Sequence, residues 1–253
     1  MQAIPIVALL LAAAPSPKTL VSSGPIKLLE VVSERPVPLL AKGAEVVVLV
    51  EGAALVPIQP GKAPLQAGDS VFSPTPGKWW LTPQPKVRAV ILAFPTPPGV
   101  SATTVRSEKD LTHYRILGGQ GEVALVLDKG VVATDAFSQQ RLTLQPGAAV
   151  PSHQHSGSAE LIYVVSGKTE TTVEGATKVL GAGEAIWIPA GAQHAAKVVG
   201  KEPLAVVQFY VPGGPEQRYR PSGSGGAGAG AGAGPPGTAG APDAGATSGS
   251  RPR

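Results

Sequence analysis

The 253-residue chain has no cysteine, and only 4% of its residues are aromatic and 15% charged. The lack of cysteine excludes disulfides and thiolate metal ligands, and it leaves the cellular compartment open. The sequence shows no amphipathic helix pattern, no nucleophile beside a partner base and no phosphate-binding loop. The sequence therefore indicates neither a helical enzyme nor a nucleotide-dependent one.

The net charge of +4 is small, and half of it lies near the C-terminus. From residue 213 onward four arginines oppose two carboxylates, which leaves +2 outside the predicted fold. The rest of the chain is near neutral and has no basic stripe interleaved with aromatic residues. We therefore expect no nucleic-acid partner.

Both ends of the chain differ in composition from the middle. Residues 213–253 are mostly Gly, Ala, Pro and Ser, with too little apolar bulk to offset the entropy of ordering, so we predict a disordered tail. Residues 3–14 are apolar, as in a secretory signal, although no basic residue precedes them and Pro15 follows. We predict a signal peptide over 1–23, cleaved after Ala13 or Ser23.

A signal peptide would send the protein to the periplasm or outside the cell, whereas without one the protein would be cytoplasmic. The apolar stretch is too short to span a bilayer comfortably, so we expect no stable membrane insertion. Between residues 24 and 212, runs of Val, Ile, Leu and Thr are separated by Gly and Pro, which is typical of β-strands. This length suffices for two small β-domains.

Two stretches in the second half combine imidazoles and a carboxylate with regularly spaced glycines. They read Gly147-x5-His153-x-His155-x4-Glu160-x6-Gly167 and Gly183-x5-Pro189-x-Gly191-x2-His194. Three imidazoles and one carboxylate suit a divalent transition metal and leave coordination positions open. On a strand His153 and His155 point to one face, but Glu160 lies an odd step away, so a turn must intervene near residues 156–158.

These stretches resemble the two signature motifs of the cupin superfamily. In that family the corresponding residues bind one metal inside a small β-barrel. The resemblance implies that His153, His155, Glu160 and His194 are the ligands of one metal, which would be Fe, Mn, Ni, Cu, Co or Zn. The second motif often ends in Asn where this chain has Val198, but that Asn is not a ligand.

A second copy of the pattern lies 115 residues upstream. This offset relates Gly167 to Gly52, Gly183 to Gly68, Pro189 to Pro74, Glu160 to Glu45 and Phe209 to Phe94. We therefore predict an all-β fold of two tandem cupin-type jelly-roll β-barrels. Residues 24–100 would form a degenerate barrel, and residues 101–212 the metal-binding barrel.

The first copy lacks the metal ligands, because His153 maps to Pro38, His155 to Leu40 and His194 to Trp79. Glu45 alone cannot hold a metal. We expect Trp79 and Trp80 to fill that interior; they could instead stack on an apolar or sugar-like ligand. Glu45 would either face solvent or be hydrogen-bonded, because an unpaired buried carboxylate is costly.

Several residues are candidates for the substrate pocket. Parity with Glu160 places Ile162 and Val164 on the inward face, and Gln193, Gln208 and Tyr210 are the polar residues best placed to reach it. Each of these three could equally face solvent. We interpret Glu184 and its counterpart Asp69 as turn carboxylates, and His113 as a strand residue rather than a ligand.

The resemblance implies a metal-dependent enzyme acting on a small organic molecule. A dioxygenase-like oxidation similar to that of quercetin dioxygenase is favoured, with Glu160 as a candidate proton acceptor. The absence of arginine from both motifs argues against an oxalate-type activity. The alternative is a non-catalytic cupin that binds or senses a sugar or metabolite, and a storage role is a weaker one. We expect a small-molecule partner and either a monomer or a homodimer.

Overall fold

The computed structural model describes residues 15–39, 42–58, 61–75 and 79–220, and of Trp79 only the backbone. Its regular structure consists of eighteen β-strands, one short α-helix and three 3₁₀ helices, so the predicted all-β fold is confirmed. No helix in these residues is long and apolar enough to cross a membrane.

The first repeat contains eight strands in one antiparallel sheet of order β1-β2-β7-β4-β6-β8, with β3 paired to β7 and β5 to β4. The long strands β4 and β7 each pair with several neighbours, which lets the sheet curve around an interior. The strands are β1 (Lys18–Ser23), β2 (Ile26–Ser33), β3 (Val37–Leu39), β4 (Ala44–Ile58), β5 (Gly61–Gln66), β6 (Ser70–Ser73), β7 (Trp79–Phe94) and β8 (Thr104–Arg106).

The second repeat is a jelly roll of two antiparallel sheets, of order β16-β13-β18-β11-β10-β9 and β12-β17-β14-β15. One α-helix, α1 (Lys129–Val132), follows β10, and 3₁₀ helices cover Glu108–Asp110, Leu117–Gly119 and Pro215–Tyr219. The strands are β9 (His113–Ile116), β10 (Gly121–Leu127), β11 (Ser138–Leu144), β12 (Ala149–His153), β13 (Ala159–Ser166), β14 (Lys168–Val173), β15 (Ala176–Gly181), β16 (Ala185–Ile188), β17 (His194–Val198) and β18 (Leu204–Val211).

Three apolar clusters stabilise the fold: one inside each repeat and one shared by both. The shared cluster contains the rings of Phe72, Phe94 and Phe137, and the Phe137 centroid lies 4.9 Å from each of the other two. Strand β13 divides its side chains between two clusters, since Leu161 belongs to the shared core and Ile162 to the interior of the second repeat. This alternation follows from the two-residue period of a strand.

The predicted repeat is visible in the backbone geometry of its glycines. Gly52 and Gly167 both have positive φ, 82° and 76°. A Cβ atom would lie 2.0 Å from the carbonyl oxygen of Lys86 at the first position, and 2.4 Å from that of Pro203 at the second. Only glycine accepts both the left-handed backbone and the close approach, so the two positions serve the same purpose.

The two turn carboxylates also repeat. The Asp69 carboxylate accepts a hydrogen bond of 2.9 Å from the Gln66 N–H, and the Glu184 carboxylate accepts one of 2.8 Å from the Gly181 N–H. This confirms the interpretation of both residues as structural.

The constant offset of 115 does not extend to the last strand. Leu161 pairs with Phe209 in the second repeat, whereas Val46, its counterpart in the first repeat, pairs with Leu92. The structural counterpart of Phe209 is therefore Leu92, and the prediction that Phe209 corresponds to Phe94 was wrong. Phe94 and Phe209 match at the offset of 115 in the sequence, but the register of the last strand differs by two residues between the repeats.

The first repeat begins earlier than predicted. Strand β1 at Lys18–Ser23 pairs with β2, as β10 pairs with β11, and reaches it through a tight turn at Gly24 and Pro25. The fold therefore includes the last residues of the predicted signal segment, and cleavage after Ser23 would remove a strand. Cleavage after Ala13 would leave it intact; residues 1–14 lie outside the described residues, and the signal peptide stays a prediction.

Two further predicted boundaries are wrong. Strand β8 at Thr104–Arg106 pairs with β6, so the first repeat extends beyond residue 100. At the other end, Pro215–Tyr219 forms a 3₁₀ helix in which Glu216 is buried, so residues 213–220 are part of the fold rather than of a disordered tail. Composition averaged over the whole tail concealed these few residues. Residues 221–253 lie outside the described residues.

Candidate metal centre

The structure brings together the four residues that the motifs predict as metal ligands. His153, the last residue of β12, pairs with His194, the first of β17. Glu160 lies near the start of β13, and His155 lies in the loop before it, where its carbonyl accepts a 2.8 Å hydrogen bond from the Gly191 N–H. One possible ligand atom from each of the four lies within 4.8 Å of the others, so the group can hold a metal ion.

Backbone carbonyls orient two of the imidazoles. The Nδ1 atom of His153 lies 2.8 Å from the carbonyl oxygen of Pro151, and that of His194 lies 2.9 Å from that of Ala192. A carbonyl only accepts, so Nδ1 carries the hydrogen in each ring and the neutral ring has its lone pair on Nε2. This is the arrangement that an Nε2 metal ligand requires.

Three buried polar atoms at the centre of the group have no hydrogen-bond partner: Nε2 of His155, Nε2 of His194 and Oε2 of Glu160. The Glu160 oxygen lies 3.3 Å from the His155 nitrogen and 3.1 Å from the His194 nitrogen. Leaving one such atom unsatisfied costs about 1–3 kcal/mol. The lone pair of neutral His194 and the carboxylate repel, so this pair needs either a proton or a metal ion between its two atoms, and the donor set fits a metal.

Electrostatics prepare the group for a cation. Burial alone would raise the pKa of Glu160, but the neighbouring His155 and His194 outweigh it and lower that pKa to about 2. Burial lowers the pKa of His153 to about 4. Burial opposes a charge on His194 too, but the Glu160 carboxylate prevails and raises the pKa of His194. At neutral pH the site therefore offers an ionised carboxylate and a neutral His153.

A chain of amides fixes the orientation of the carboxylate. Oε1 of Glu160 accepts a 2.6 Å hydrogen bond from Nε2 of Gln208, whose Oε1 accepts one of 2.7 Å from Nε2 of Gln140. The Gln140 amide also lies 3.3 Å from the hydroxyl oxygen of Tyr210. These residues come from three adjacent strands. The motifs contain no sign of Gln140, because its role depends on the register of β11 against β18.

The predicted pocket residues do not all reach the site. Gln208 and Tyr210 are buried beside it, and the Tyr210 ring centroid lies 5.0 Å from that of His155. Ile162 and Val164 belong to the interior cluster of the second repeat. Gln193 is exposed instead, and its side chain bonds to other exposed side chains at the rim, those of Ser152 and Gln154.

His113 lies on strand β9, where it is exposed and its Nδ1 is 2.8 Å from a carboxylate oxygen of Glu122. This fits its interpretation as a strand residue.

The 3₁₀ helix at Pro215–Tyr219 packs against the second repeat, although we predicted this part of the chain to be disordered. Tyr219 packs against the interior cluster of the second repeat. Nη2 of Arg218 donates a 2.7 Å hydrogen bond to the Tyr219 hydroxyl. No motif marks this arginine, because it follows the last strand in a segment of low complexity.

The first repeat has an aliphatic interior. Val37, Leu39 and Leu81 lie there and are at most 2% exposed, and the other buried members of that cluster are also Val, Leu, Ile or Ala. Trp80 is 46% exposed, so the expectation that it fills the interior was wrong. Glu45 is buried rather than turned to solvent. Leu40 and the side chain of Trp79 lie outside the described residues.

Comparisons with known proteins agree with this architecture. The family described as "Cupin domain" matches residues 140–210. Polyketide synthase CurC of Streptomyces cyaneus is 33% identical over 108 residues, which cover 43% of this chain and 69% of that protein. The chain belongs to the cupin superfamily.

Other relatives match this cupin over shorter segments. Mannose-1-phosphate guanylyltransferase of Escherichia coli strain K12 is 37% identical over 76 residues, covering 30% of this chain but only 16% of that enzyme. The chain thus spans a small part of the length of such relatives. Quercetin 2,3-dioxygenase of Bacillus subtilis is 34% identical over 93 residues, covering 34% of this chain and 28% of that enzyme.

Solved structures share the fold at low sequence identity. The oxalate decarboxylase formate complex of Lactobacillus farciminis has a TM-score of 0.60 at 16% identity, over 74% of this chain and 77% of that one. Procruciferin, an 11S globulin of Brassica napus, has a TM-score of 0.60 at 12% identity over the same shares. An enzyme and a globulin match equally well, so the fold alone does not assign an activity.

Proposed function

We propose that this cupin is a metal-dependent enzyme that acts on a small organic molecule by a dioxygenase-like oxidation. The observation that carries the proposal is the convergence of three buried, unpartnered ligand atoms of His155, His194 and Glu160 beside His153. These four residues would hold one divalent transition metal. When bound, the metal supplies a Lewis acid and a template for substrate oxygen atoms.

The residues around the cluster suit a partly apolar ligand. Ile162 and Val164 are buried in the apolar interior of the second repeat, and strand periodicity places them on the same face of β13 as Glu160. Gln208 holds Oε1 of Glu160, so that Oε2 faces His155 and His194. A carboxylate held in one orientation keeps the geometry of the metal site constant, and such preorganised positioning contributes to catalysis.

Glu160 serves mainly as a ligand in this proposal. One of its oxygens accepts from Gln208 and the other lies between His155 and His194. To act as the predicted proton acceptor, the carboxylate would have to turn one oxygen away from these partners. The similarity to quercetin 2,3-dioxygenase over 93 residues supports the oxidation of an organic substrate.

A non-catalytic role in binding or sensing a small molecule is the second candidate. The cluster contains a single carboxylate, whose Oε1 accepts from Gln208 and whose Oε2 would bind the metal, so the four residues themselves would supply no free base. In that case the metal would only orient a ligand such as a sugar or a metabolite.

Oxygen consumption separates the two candidates. The iron-, manganese-, nickel- and copper-loaded protein would be assayed with the flavonol quercetin and a panel of enols, beside His155→Ala. His113→Ala is the matched control, since it removes an exposed imidazole outside the cluster. We expect turnover in the wild type and control and none in His155→Ala. A metal-loaded protein without turnover whose melting temperature rises with a ligand would favour the binding role.

A further inference from the structure

The hairpin of β14 and β15 closes with a two-residue turn whose first residue is unusual. Both turn residues have positive φ, 48° at Glu174 and 79° at Gly175. Positive φ at both positions is the pattern of a type I′ turn, whose first position favours Asn, Asp or Gly. Among residues with a Cβ atom, Asn and Asp adopt this region far more readily than others do. The backbone at Glu174 is therefore strained, and Asn would close the same turn with less strain.

The exposed carboxylate of Glu174 binds the backbone of a distant residue. Among the residues that the structure describes, no lysine, arginine or histidine forms an ion pair with it. Its Oε1 instead accepts a short hydrogen bond from the N–H of Gln193. The N–H of Glu174 in turn donates a hydrogen bond of 2.9 Å to the carbonyl oxygen of Gln193. Glu174 thus holds both polar groups of the Gln193 backbone.

The residue that Glu174 holds directly precedes His194, a member of the candidate metal cluster. The Nε2 atom of His194 lies 3.1 Å from Oε2 of Glu160. Its Nδ1 atom lies 2.9 Å from the carbonyl oxygen of Ala192, on the other side of Gln193 in the chain. A shift of the Gln193 backbone would therefore move both the ring and the carbonyl group that orients it.

The first repeat, which lacks the metal ligands, has a different sequence at the corresponding turn. Two residues separate β4 from β5, as two separate β14 from β15. In the sequence these two residues are Gln59 and Pro60, and a proline cannot adopt the positive φ that Gly175 has. The Glu-Gly sequence thus occurs in the repeat that has the cluster and not in the repeat that lacks it.

We propose that Glu174 is a positioning residue for His194, and that the strained turn is retained because it brings the carboxylate to the Gln193 backbone. Strained residues persist at functional sites when the surrounding structure holds them there. The inference rests on the metal binding of the proposed function and not on the oxidation. Without the carboxylate, the His194 ring would be held less firmly in the position in which it binds a metal, while the hairpin itself would remain folded.

Two substitutions of Glu174 separate this role from a purely structural one. Glu174→Gln keeps an acceptor oxygen at the same reach and keeps the strain, whereas Glu174→Asn shortens the side chain and suits the turn. Competition with a chromophoric chelator would give the affinity for cobalt, and the absorption spectrum of the bound cobalt would report the position of His194. The melting temperature would be measured on the metal-free protein.

We expect opposite effects of Glu174→Asn on metal binding and on stability. Cobalt affinity should fall by about three- to tenfold, which is less than the loss of a direct partner of a ligand would cause. The cobalt spectrum should shift as well. The melting temperature should stay the same or rise by about 1–3 °C, because the strain is relieved. Glu174→Gln should bind cobalt within a factor of about two of the wild type, since it retains the hydrogen bond. The control Gln193→Leu changes only a side chain and keeps the backbone bonds, so its affinity and spectrum should match those of the wild type.

Equal cobalt affinities and spectra in Glu174→Asn and the wild type would overturn the inference. Equal losses of affinity in Glu174→Asn and Glu174→Gln would overturn it too, because the acceptor oxygen would then not matter. A loss of affinity together with a lower melting temperature would mean that Glu174 only supports the hairpin. A wild type that binds cobalt but oxidises no substrate contradicts the proposed activity alone, and the variants still decide the inference. A wild type that binds no cobalt overturns both.

Discussion

The two repeats share a frame but differ in what fills it. Both keep the left-handed glycine at Gly52 and Gly167 and the turn carboxylate at Asp69 and Glu184. Only the second repeat contains the cluster of three imidazoles and a carboxylate. The comparison shows that glycines, turns and alternating apolar residues suffice for the fold, and that the metal ligands are not needed for it.

The first repeat lacks the supports of the ligands as well as the ligands themselves. Gln208 pairs with Ile162 in the second repeat, and the corresponding pair in the first repeat is Ile91 with Val47. The strand neighbour of Gln208 is Gln140, whereas that of Ile91 is Leu29. Amides that orient a carboxylate have thus been replaced by apolar residues. Buried amides with no carboxylate to bind would lose hydrogen bonds, so the two changes belong together.

The shared core gives the largest expected effect. Phe137 is fully buried against aromatic rings of the first repeat, so Phe137→Ala should destabilise the protein by about 3–5 kcal/mol. Because both repeats contribute to that core, we expect them to unfold together. Denaturant unfolding would be measured by circular dichroism and, in a Trp187→Phe background, by the fluorescence of Trp79 and Trp80.

The exposed Val179 supplies the control for this experiment, and Val179→Ala should leave both midpoints unchanged. If the fluorescence transition of the first repeat keeps its midpoint in Phe137→Ala, the two repeats unfold independently.

The amide support gives the next effect in size. Gln208→Leu removes the 2.6 Å hydrogen bond to Glu160 and makes the second repeat resemble the first at this position. We expect the metal affinity to fall by about 10–100-fold, because partners of this kind fix the orientation of a ligand. Competition with a chromophoric chelator measures the change. Gln193→Leu, which alters an exposed amide at the rim, should leave the affinity within a factor of about two.

The pH dependence of metal binding gives the smallest effect when it is counted per pH unit. Glu160 raises the pKa of His194, so a proton competes with the metal for this ring and binding is fully developed only above that pKa. As the pH falls below it, affinity should drop by about tenfold per unit or more. The lowered pKa of His153, about 4, means that this ring does not add to the loss until strongly acidic pH.

Proton release, measured by calorimetry in buffers of different ionisation enthalpy, tests this order of protonation. Metal affinity that stays constant from pH 8 to about pH 5 would show that Glu160 does not hold a proton on His194.

The sequence predicted the cluster because all its members lie in two short motifs. Parity along β13 also placed Ile162 and Val164 correctly, since the period of a strand is fixed. The sequence did not reveal the features that depend on contacts between distant segments. Gln140 supports Glu160 only through the register of three strands, and residues 215–219 join the fold through hydrogen bonds of Glu216 with Ser138 and of Gln217 with Asp128.

The errors at the boundaries have a similar cause. Composition separates folded from unfolded chain over tens of residues, but a few residues such as Lys18–Ser23 join a sheet through backbone hydrogen bonds that composition does not reveal. The exposed Trp80 was misplaced because a one-residue step along a strand moves a side chain to the other face.

The central claim is that one metal binds in the second repeat and none in the first. Elemental mass spectrometry of the purified protein after reconstitution at neutral pH, beside His194→Ala and His113→Ala, tests it most directly. We predict about one divalent metal per chain in the wild type and in His113→Ala, and none in His194→Ala. Two metals per chain, a metal that survives His194→Ala, or no metal in the wild type would contradict the account.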